Sequence, residues 1–185
     1  MNIRPVLVSV AAGGILLLQA GTAGAAITRT AGASYTGTAH AVPSLSEKCM
    51  AQPTDAAGFK CRFDTKVTYR TAEVHGVRQG SLHLDFTNTS KTGCEPVTGR
   101  LTTKVYRNNG RWLGTYTEDL RPGSQSCLTN VEGVEAQHLT STIVDGKGIF
   151  ADQHGSVDGH SATIRPVAQG DPIFIAGNFV ATLVR

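Results

Sequence analysis

The sequence has few charged residues, few aromatic residues and, beyond its first 25 residues, no long apolar run. Charged side chains make up 17% of the 185 residues and leave a formal net charge of +3. This balance does not indicate nucleic acid or an anionic membrane surface as a partner. No stretch approaches the roughly 20 apolar residues of a membrane-spanning helix. We therefore expect neither a nucleic-acid partner nor a membrane span.

Motifs of common catalytic and metal centres are also missing. The Gly-x-Ser-x-Gly motif, which carries the nucleophile of α/β-hydrolases, does not occur. Neither His-Glu-x-x-His nor the spacing of an EF-hand loop is present. The four cysteines form no Cys-x-x-Cys pair and have no histidine at zinc-finger spacing. From these absences we predict no metal.

The first 25 residues are typical of a secretory signal peptide. Arg4 supplies a positive charge, residues 6–18 are apolar, and Ala23-Gly24-Ala25 fits a cleavage site. We predict that residues 1–25 are removed and that the protein is secreted, outside the cell or into the periplasm. Residues 26–46 are rich in Ala, Thr and Gly without sustained periodicity, which indicates a flexible leader. The folded domain is then predicted to span residues 47–185.

An even number of cysteines in an exported protein is typical of disulfide bonds. Three pairings of Cys49, Cys61, Cys94 and Cys127 are possible. We favour Cys49–Cys61 with Cys94–Cys127, because the first two are close in sequence across a natural turn.

From residue 59 onward, apolar residues recur with a period of two. In residues 59–69, FKCRFDTKVTY, they alternate with charged residues, which is typical of an antiparallel strand with one solvated face. Similar strands follow, and Asn108-Asn109-Gly110 between two of them predicts a hairpin turn. Residues 172–184 are apolar on both faces, which predicts a strand covered on both sides. Long amphipathic strands favour a barrel over a sandwich, because closure removes exposed edges. We predict an all-β fold, a single closed antiparallel barrel of about eight strands.

Residues 145–160, DGKGIFADQHGSVDGH, concentrate aspartate, histidine and glycine. If residues 148–154 form a strand and residues 155–159 a turn, Asp152 and His154 share a face and His160 lies close to His154. Such a set is compatible with a metal site, an acid–base pair or a polar hairpin tip. Its spacing matches no metal-binding motif. His154 and Asp152 are therefore our candidate catalytic residues, as an acid–base pair.

The glycines of the same stretch carry a family resemblance. Gly146, Gly148, Phe150 and Gly155 form Gly-x-Gly-x-Phe followed by a later glycine. This pattern, late in the chain, resembles a signature of the dirigent and allene-oxide-cyclase barrel superfamily, which includes small exported bacterial proteins. The resemblance implies an eight-stranded barrel with a central pocket, in which small molecules are coupled or cyclised without a metal or organic cofactor. Dirigent proteins usually have arginine where this chain has His154, which puts dirigent-type coupling in doubt.

Three functions follow from these patterns. The first is binding of a small, mostly apolar molecule in the central pocket, with Trp112, Tyr116 and Phe150 as candidate contacts. Trp112 and Tyr116 are expected to share a strand face, with Gly114 between them leaving room for a ligand. The second is a cofactor-independent cyclase or isomerase that uses His154 and Asp152. The third is an extracellular interaction module whose barrel is packed with side chains. The oligomeric state does not follow from the sequence.

Overall fold

The computed structural model describes residues 28–41, 59–86, 93–131, 133–164 and 172–185. The predicted signal peptide and Cys49 lie outside these ranges. Over the described ranges, no helix has the length and apolar character needed to cross a membrane. The regular structure in these ranges consists of nine strands: β1 (Thr28–Ala41), β2 (Phe59–Arg70), β3 (Val74–Phe86), β4 (Cys94–Arg107), β5 (Trp112–Leu120), β6 (Gln125–Leu128), β7 (Val134–Gly148), β8 (His154–Ile164) and β9 (Ile173–Val184).

The strands close into a barrel in which each pairing is antiparallel. Around the barrel the order is β3, β2, β1, β9, β8, β7, β5 and β4, and β4 pairs again with β3. The short β6 pairs with both β4 and β7, as β5 does, so β5 and β6 follow one another along a single position in the wall. The predicted closed antiparallel barrel of about eight strands is confirmed, with one strand position divided in two.

The first strand lies where the sequence predicted a flexible leader. Residues 28–41 form β1, which pairs with β2 on one side and β9 on the other. The barrel therefore begins at Thr28 and not at residue 47. The sequence contains no strand signal here because most residues of β1 are Ala, Gly, Ser and Thr, and within residues 28–38 only Ala33 and Tyr35 are buried. β1 is held in the sheet by backbone hydrogen bonds to its two neighbours. Small side chains permit that pairing, but they produce no alternating apolar pattern in the sequence.

The alternation predicted for β2 is present in the structure. Cys61, Phe63, Val67 and Tyr69 are buried, whereas the intervening charged residues are exposed. Equivalent alternation in the other strands places one apolar set inside the barrel, as expected for strands whose side chains point to opposite faces in turn. The interior is therefore filled with side chains, among them Leu82, Leu84, Val97, Leu101, Val105, Leu139, Ile143, Val157, Ile175 and Phe179.

The sequence predicts two hairpin turns, and the structure confirms the position of one of them. The turn at Asn108–Gly110 joins β4 to β5 as predicted, and Gly110 has a φ of +84°. The other predicted turn, at residues 155–159, is wrong: β7 continues to Gly148, the chain turns at residues 149–153, and β8 already begins at His154. Turn chemistry explains the difference, because Gly148 and Asp152 adopt positive φ values of 67° and 60° and so reverse the chain earlier.

The outer face of β9 differs from the prediction that this strand is covered on both sides. Phe174 and Val180 are 57% and 44% exposed in the described part of the chain. Phe174 lies directly opposite Ile164 of β8, which is also exposed. In a barrel with only a single wall, an outward apolar residue has no second layer to pack against.

The predicted disulfide between Cys94 and Cys127 is confirmed. The two cysteines are directly paired across β4 and β6, and their sulfurs are bonded at 2.04 Å. The bond joins the short β6 to the long β4. The other predicted pair includes Cys49, which lies outside the described residues.

Candidate functional site

Three turns form one end of the barrel, which we call the hairpin end: residues 71–73, 108–111 and 149–153. The glycine-rich stretch lies here, and Phe150 from its turn is buried inside the barrel. The Phe150 ring meets the ring of Tyr116 edge to face, with centroids 5.0 Å apart. Two of the predicted ligand contacts, Phe150 and Tyr116, are thus brought together as packed aromatic neighbours.

The glycines of the signature allow Phe150 to enter the barrel. A Cβ at Gly146 would overlap the carbonyl oxygen of Phe150, and one at Gly148 would overlap the carbonyl oxygen of Leu113. Gly155 has a φ of +150°, and a Cβ there would meet the backbone of Thr182. Only glycine permits these close backbone approaches. The motif therefore shapes the β7–β8 hairpin and closes this end of the barrel.

The two candidate acid–base residues lie on the outside of the barrel. Asp152 is exposed in the turn, and His154 is exposed at the first position of β8. His160 is also on β8, six residues further along the strand, so it does not lie beside His154 as expected from the sequence. A six-residue separation in a strand corresponds to about 20 Å. The structure does not bring His154 and His160 together.

The expectation that Trp112 and Tyr116 share a face is wrong. The pairing of β4 with β5 shifts register at this point, since Tyr106 pairs with Trp112 but Val105 pairs with Gly114. The extra residue forms a bulge, which reverses the alternation on one side of it. Trp112 is consequently 47% exposed, and its indole Nε1 donates a hydrogen bond to the outward Thr115. Tyr116 alone faces the interior.

The barrel interior contains a charged network that sequence reasoning missed. Arg78 of β3 and Glu118 of β5 are both buried, and Arg78 Nε donates to Glu118 Oε1 at 2.6 Å. Arg78 Nη2 contacts the same carboxylate oxygen. The other oxygen of Glu118 accepts a hydrogen bond of 2.8 Å from the Ser141 hydroxyl. Both carboxylate oxygens thus have partners, as a buried charge requires.

Burial and charge change the acidity of the groups around this pair. Burial lowers the pKa of the Arg78 guanidinium, but the charge and hydrogen bond of Glu118, together with Tyr116 and Tyr35, outweigh burial and raise that pKa above its usual value. Burial raises the pKa of the Tyr116 phenol well above its usual value; the charge of Glu118 adds to this, and Arg78 opposes it. Burial likewise raises the pKa of Tyr69. Near neutral pH, the interior therefore holds the Arg78 cation and the protonated phenols of Tyr69 and Tyr116.

Phe179 of β9 joins this network to an aromatic cluster. The Arg78 guanidinium carbon lies 5.4 Å from the centroid of the Phe179 ring, within the range of a cation–π contact. Tyr69 packs edge to face on the same ring at 5.3 Å, and Tyr35 packs on it at 6.1 Å. We refer to Tyr35, Tyr69 and Phe179 as the aromatic cluster.

Tyr35 borders two cavities. The inner one, about 20 Å3, is lined by Tyr35, Arg78 and neighbouring core residues and has room for about one water molecule. The second, which we call the rim groove, is an open groove of about 510 Å3. It is found where the pairing of β1 with β2 ends, at Tyr35 and Tyr69. Its lining comprises Ser34, Tyr35, Thr36, Thr68, Tyr69, Arg70, His75, Gly76, Val77 and Asn108.

One feature of the sequence could have revealed the interior pair. Arg78 has the same parity as the buried Leu82 and Leu84 in β3, and Glu118 has the same parity as Tyr116 in β5. Strict alternation therefore places both charged residues inside the barrel. No pattern in the sequence indicates the rim groove, because its position depends on where the pairing of β1 with β2 ends.

Comparison with protein-family models and with curated protein sequences finds no match for this chain.

Proposed function

We propose that this protein is a secreted barrel of the dirigent and allene-oxide-cyclase type that binds a small, mostly apolar molecule in the rim groove. The observation that carries the proposal is the groove itself. Its volume of about 510 Å3 falls within the range of roughly 300–1,000 Å3 that is usual for small-molecule sites. The inner cavity of about 20 Å3 is far below that range.

The lining of the groove favours a ligand with an apolar, ring-containing body and a polar end. Tyr35 and Tyr69 pack on Phe179 and line the groove with the small part of their side chains that is not buried. Arg70, His75 and Asn108 provide polar groups around it. A mainly apolar surface with a few polar groups that fix orientation is the usual composition of such sites.

Two further observations support the type and location of the protein. The closed antiparallel barrel agrees with what the family resemblance implies, whereas the implied central pocket is replaced in the described part of the chain by a packed interior with a cavity of about 20 Å3. The disulfide between Cys94 and Cys127 favours an oxidising compartment, as expected after export.

We propose binding and not turnover. A cyclase or isomerase that acts inside the barrel needs an acid or base there, and His154 and Asp152 are exposed on its outside. Three glutamates are buried in the described part of the chain: Glu95, Glu118 and Glu135. Glu118 engages Arg78 and Ser141 through both oxygens, and Glu135 accepts a hydrogen bond from the Ser126 hydroxyl. A purely structural or protein-interaction role is the alternative that the following experiment tests.

The experiment measures binding of 1-anilinonaphthalene-8-sulfonate, which has an aromatic body and an anionic end, to the protein without residues 1–25. We expect one saturable site. Thr68→Trp should fill the groove and weaken binding at least about tenfold, or about 1.4 kcal/mol. Thr98→Trp is the matched control, because Thr98 is also an exposed strand threonine but does not line the groove.

The control should bind the probe as the wild type does, and near-ultraviolet circular dichroism should show all three proteins equally folded. Absence of saturable binding to the folded wild type would contradict the proposal and favour the interaction module. Equal binding by wild type, Thr68→Trp and Thr98→Trp would contradict the assignment to the rim groove.

A further inference from the structure

Three side chains that can ligate a metal meet on the outer wall of the barrel, away from the rim groove. His138 of β7 lies directly opposite His160 of β8 in the strand register. Asp158 precedes His160 by two residues, so it lies on the same face of β8. All three side chains reach solvent, with between 39% and 62% of each side chain exposed.

The distances among these groups are short and nearly symmetric. Nε2 of His138 lies 3.1 Å from Oδ2 of Asp158, and Nε2 of His160 lies 3.1 Å from Oδ1 of the same carboxylate. The two imidazole rings are stacked, with centroids 4.3 Å apart and planes inclined by 5°. The candidate ligand atoms of all three residues lie within 4.8 Å of one another.

This geometry is close to that of a metal coordination shell. Zinc–nitrogen and zinc–oxygen bonds of about 2.0–2.2 Å put neighbouring tetrahedral ligand atoms roughly 3.3 Å apart. Each histidine nitrogen lies 3.1 Å from a different oxygen of Asp158, which is near this spacing, and the ligand atoms all lie within 4.8 Å, so small side-chain rotations suffice to bring them around one ion. Two imidazoles and one carboxylate that leave further positions open to water are a recurrent ligand set for divalent transition metals.

The surrounding strands hold the ligands in place, and the residues paired with the two histidines on the flanking strands do not repel a cation. Both strands are paired on each side within the closed wall, so the positions of the three Cα atoms are fixed before any ion binds. The residues paired with the histidines on the flanking strands are uncharged: Gln125 of β6 opposite His138, and Asn178 of β9 opposite His160. Next to the histidine pair, Ala136 faces Ala162, and these small side chains leave the site open.

We propose that His138, Asp158 and His160 form a binding site for one divalent transition-metal ion of the zinc and copper type on the outer wall of the barrel. The ion would be held by one nitrogen from each imidazole and by the carboxylate, and water would complete its coordination. Harder cations such as Mg²⁺ prefer all-oxygen sites and should not compete. The site is independent of the small-molecule binding proposed above.

Isothermal titration calorimetry of Zn²⁺ into tag-free, metal-depleted protein tests this proposal. We expect one ion per chain with a micromolar or tighter Kd. His138→Gln, Asp158→Asn and His160→Gln should each weaken binding at least about tenfold. His154→Gln is the matched control, since His154 is another exposed histidine of β8 outside the cluster, and it should leave the Kd unchanged.

Copper provides a spectroscopic readout and a selectivity order. The electron paramagnetic resonance spectrum of bound Cu²⁺ should show coupling to two nitrogen ligands in the wild type and to one in His160→Gln. Affinity should increase from Co²⁺ to Ni²⁺ to Cu²⁺.

Two results would overturn the proposal. One is a wild-type Kd for Zn²⁺ weaker than about 1 mM, a binding free energy of only about 4 kcal/mol. The three side chains would then form only a hydrogen-bonded surface cluster. The other is Zn²⁺ binding that all three cluster variants retain, which would place the ion elsewhere.

Discussion

Arg78 Nε donates a hydrogen bond to Glu118 Oε1 at 2.6 Å inside a barrel whose other interior residues are mostly apolar. The two residues come from β3 and β5, which are separated by β4 in the wall. With Ser141 on β7 bonded to the second carboxylate oxygen, the network connects three strands through the interior. Each charge is stable there only because the other is present.

Removal of one partner of this pair should therefore be costly. Glu118→Gln leaves the Arg78 charge buried without a counter-charge and should lower the free energy of unfolding by about 3–5 kcal/mol. Urea denaturation followed by circular dichroism measures this change. The double variant Arg78→Met/Glu118→Gln should be more stable than Glu118→Gln alone, because no unpaired charge remains.

The neighbouring residue provides the matched control for Glu118→Gln. Asp119 points outward and forms an exposed pair with Arg100, which lowers the pKa of Asp119 chiefly through a hydrogen bond. Because exposed pairs contribute little, Asp119→Asn should leave the urea midpoint nearly unchanged. If Glu118→Gln were as stable as Asp119→Asn, the pair would not have the structural role described.

The buried phenols predict a loss of stability at alkaline pH. Burial raises the pKa of Tyr69 and Tyr116 in the folded state, whereas a tyrosine in the unfolded chain ionises near pH 10. Above that pH the unfolded state binds fewer protons than the folded state, so the free energy of unfolding falls as pH rises. Each of these two tyrosines should lower the free energy of unfolding by about 1.4 kcal/mol for every pH unit above about pH 10. Below about pH 10 this loss of stability should be absent.

Urea denaturation between about pH 8 and pH 11 measures this slope around the phenol pKa. Tyr116→Phe should make it shallower, because one titrating group is removed. Absorbance at 295 nm provides an independent check. Ionisation of all four tyrosines of the chain near pH 10 in the folded protein would refute the prediction.

The close packing of the glycine-rich hairpin predicts that a single added methyl group lowers the stability of the fold. Gly146→Ala places a Cβ against the backbone of Phe150 and should lower the free energy of unfolding by about 1–3 kcal/mol or more. Gly32→Ala is the control, since its nearest neighbour would lie at an ordinary 3.5 Å; it should change stability by less than about 0.5 kcal/mol. Thermal unfolding of both variants measures the difference, and equal midpoints would be inconsistent with close packing at Gly146.

Much of the fold was determined by local patterns in the sequence. Alternation in β2 gave its buried face, and the Asn-Asn-Gly turn marked the β4–β5 hairpin. These predictions succeeded because a strand repeats every two residues and a tight turn needs particular residue types, and both properties depend only on neighbours in the chain. The barrel was predicted because a single domain of many amphipathic strands has few alternative architectures.

Other features were decided only by the tertiary structure. The weakly patterned β1 became a strand through pairing with β2 and β9, and the bulge before Gly114 turned Trp112 outward. His138 and His160, 22 residues apart in the chain, came together through the register of β7 and β8. Sequence spacing carries no record of register, because register depends on the hydrogen-bonded ladder between two strands and on where the connecting turn lies. The rim groove and the proposed metal site both depend on such pairing, the first between β1 and β2 and the second between β7 and β8.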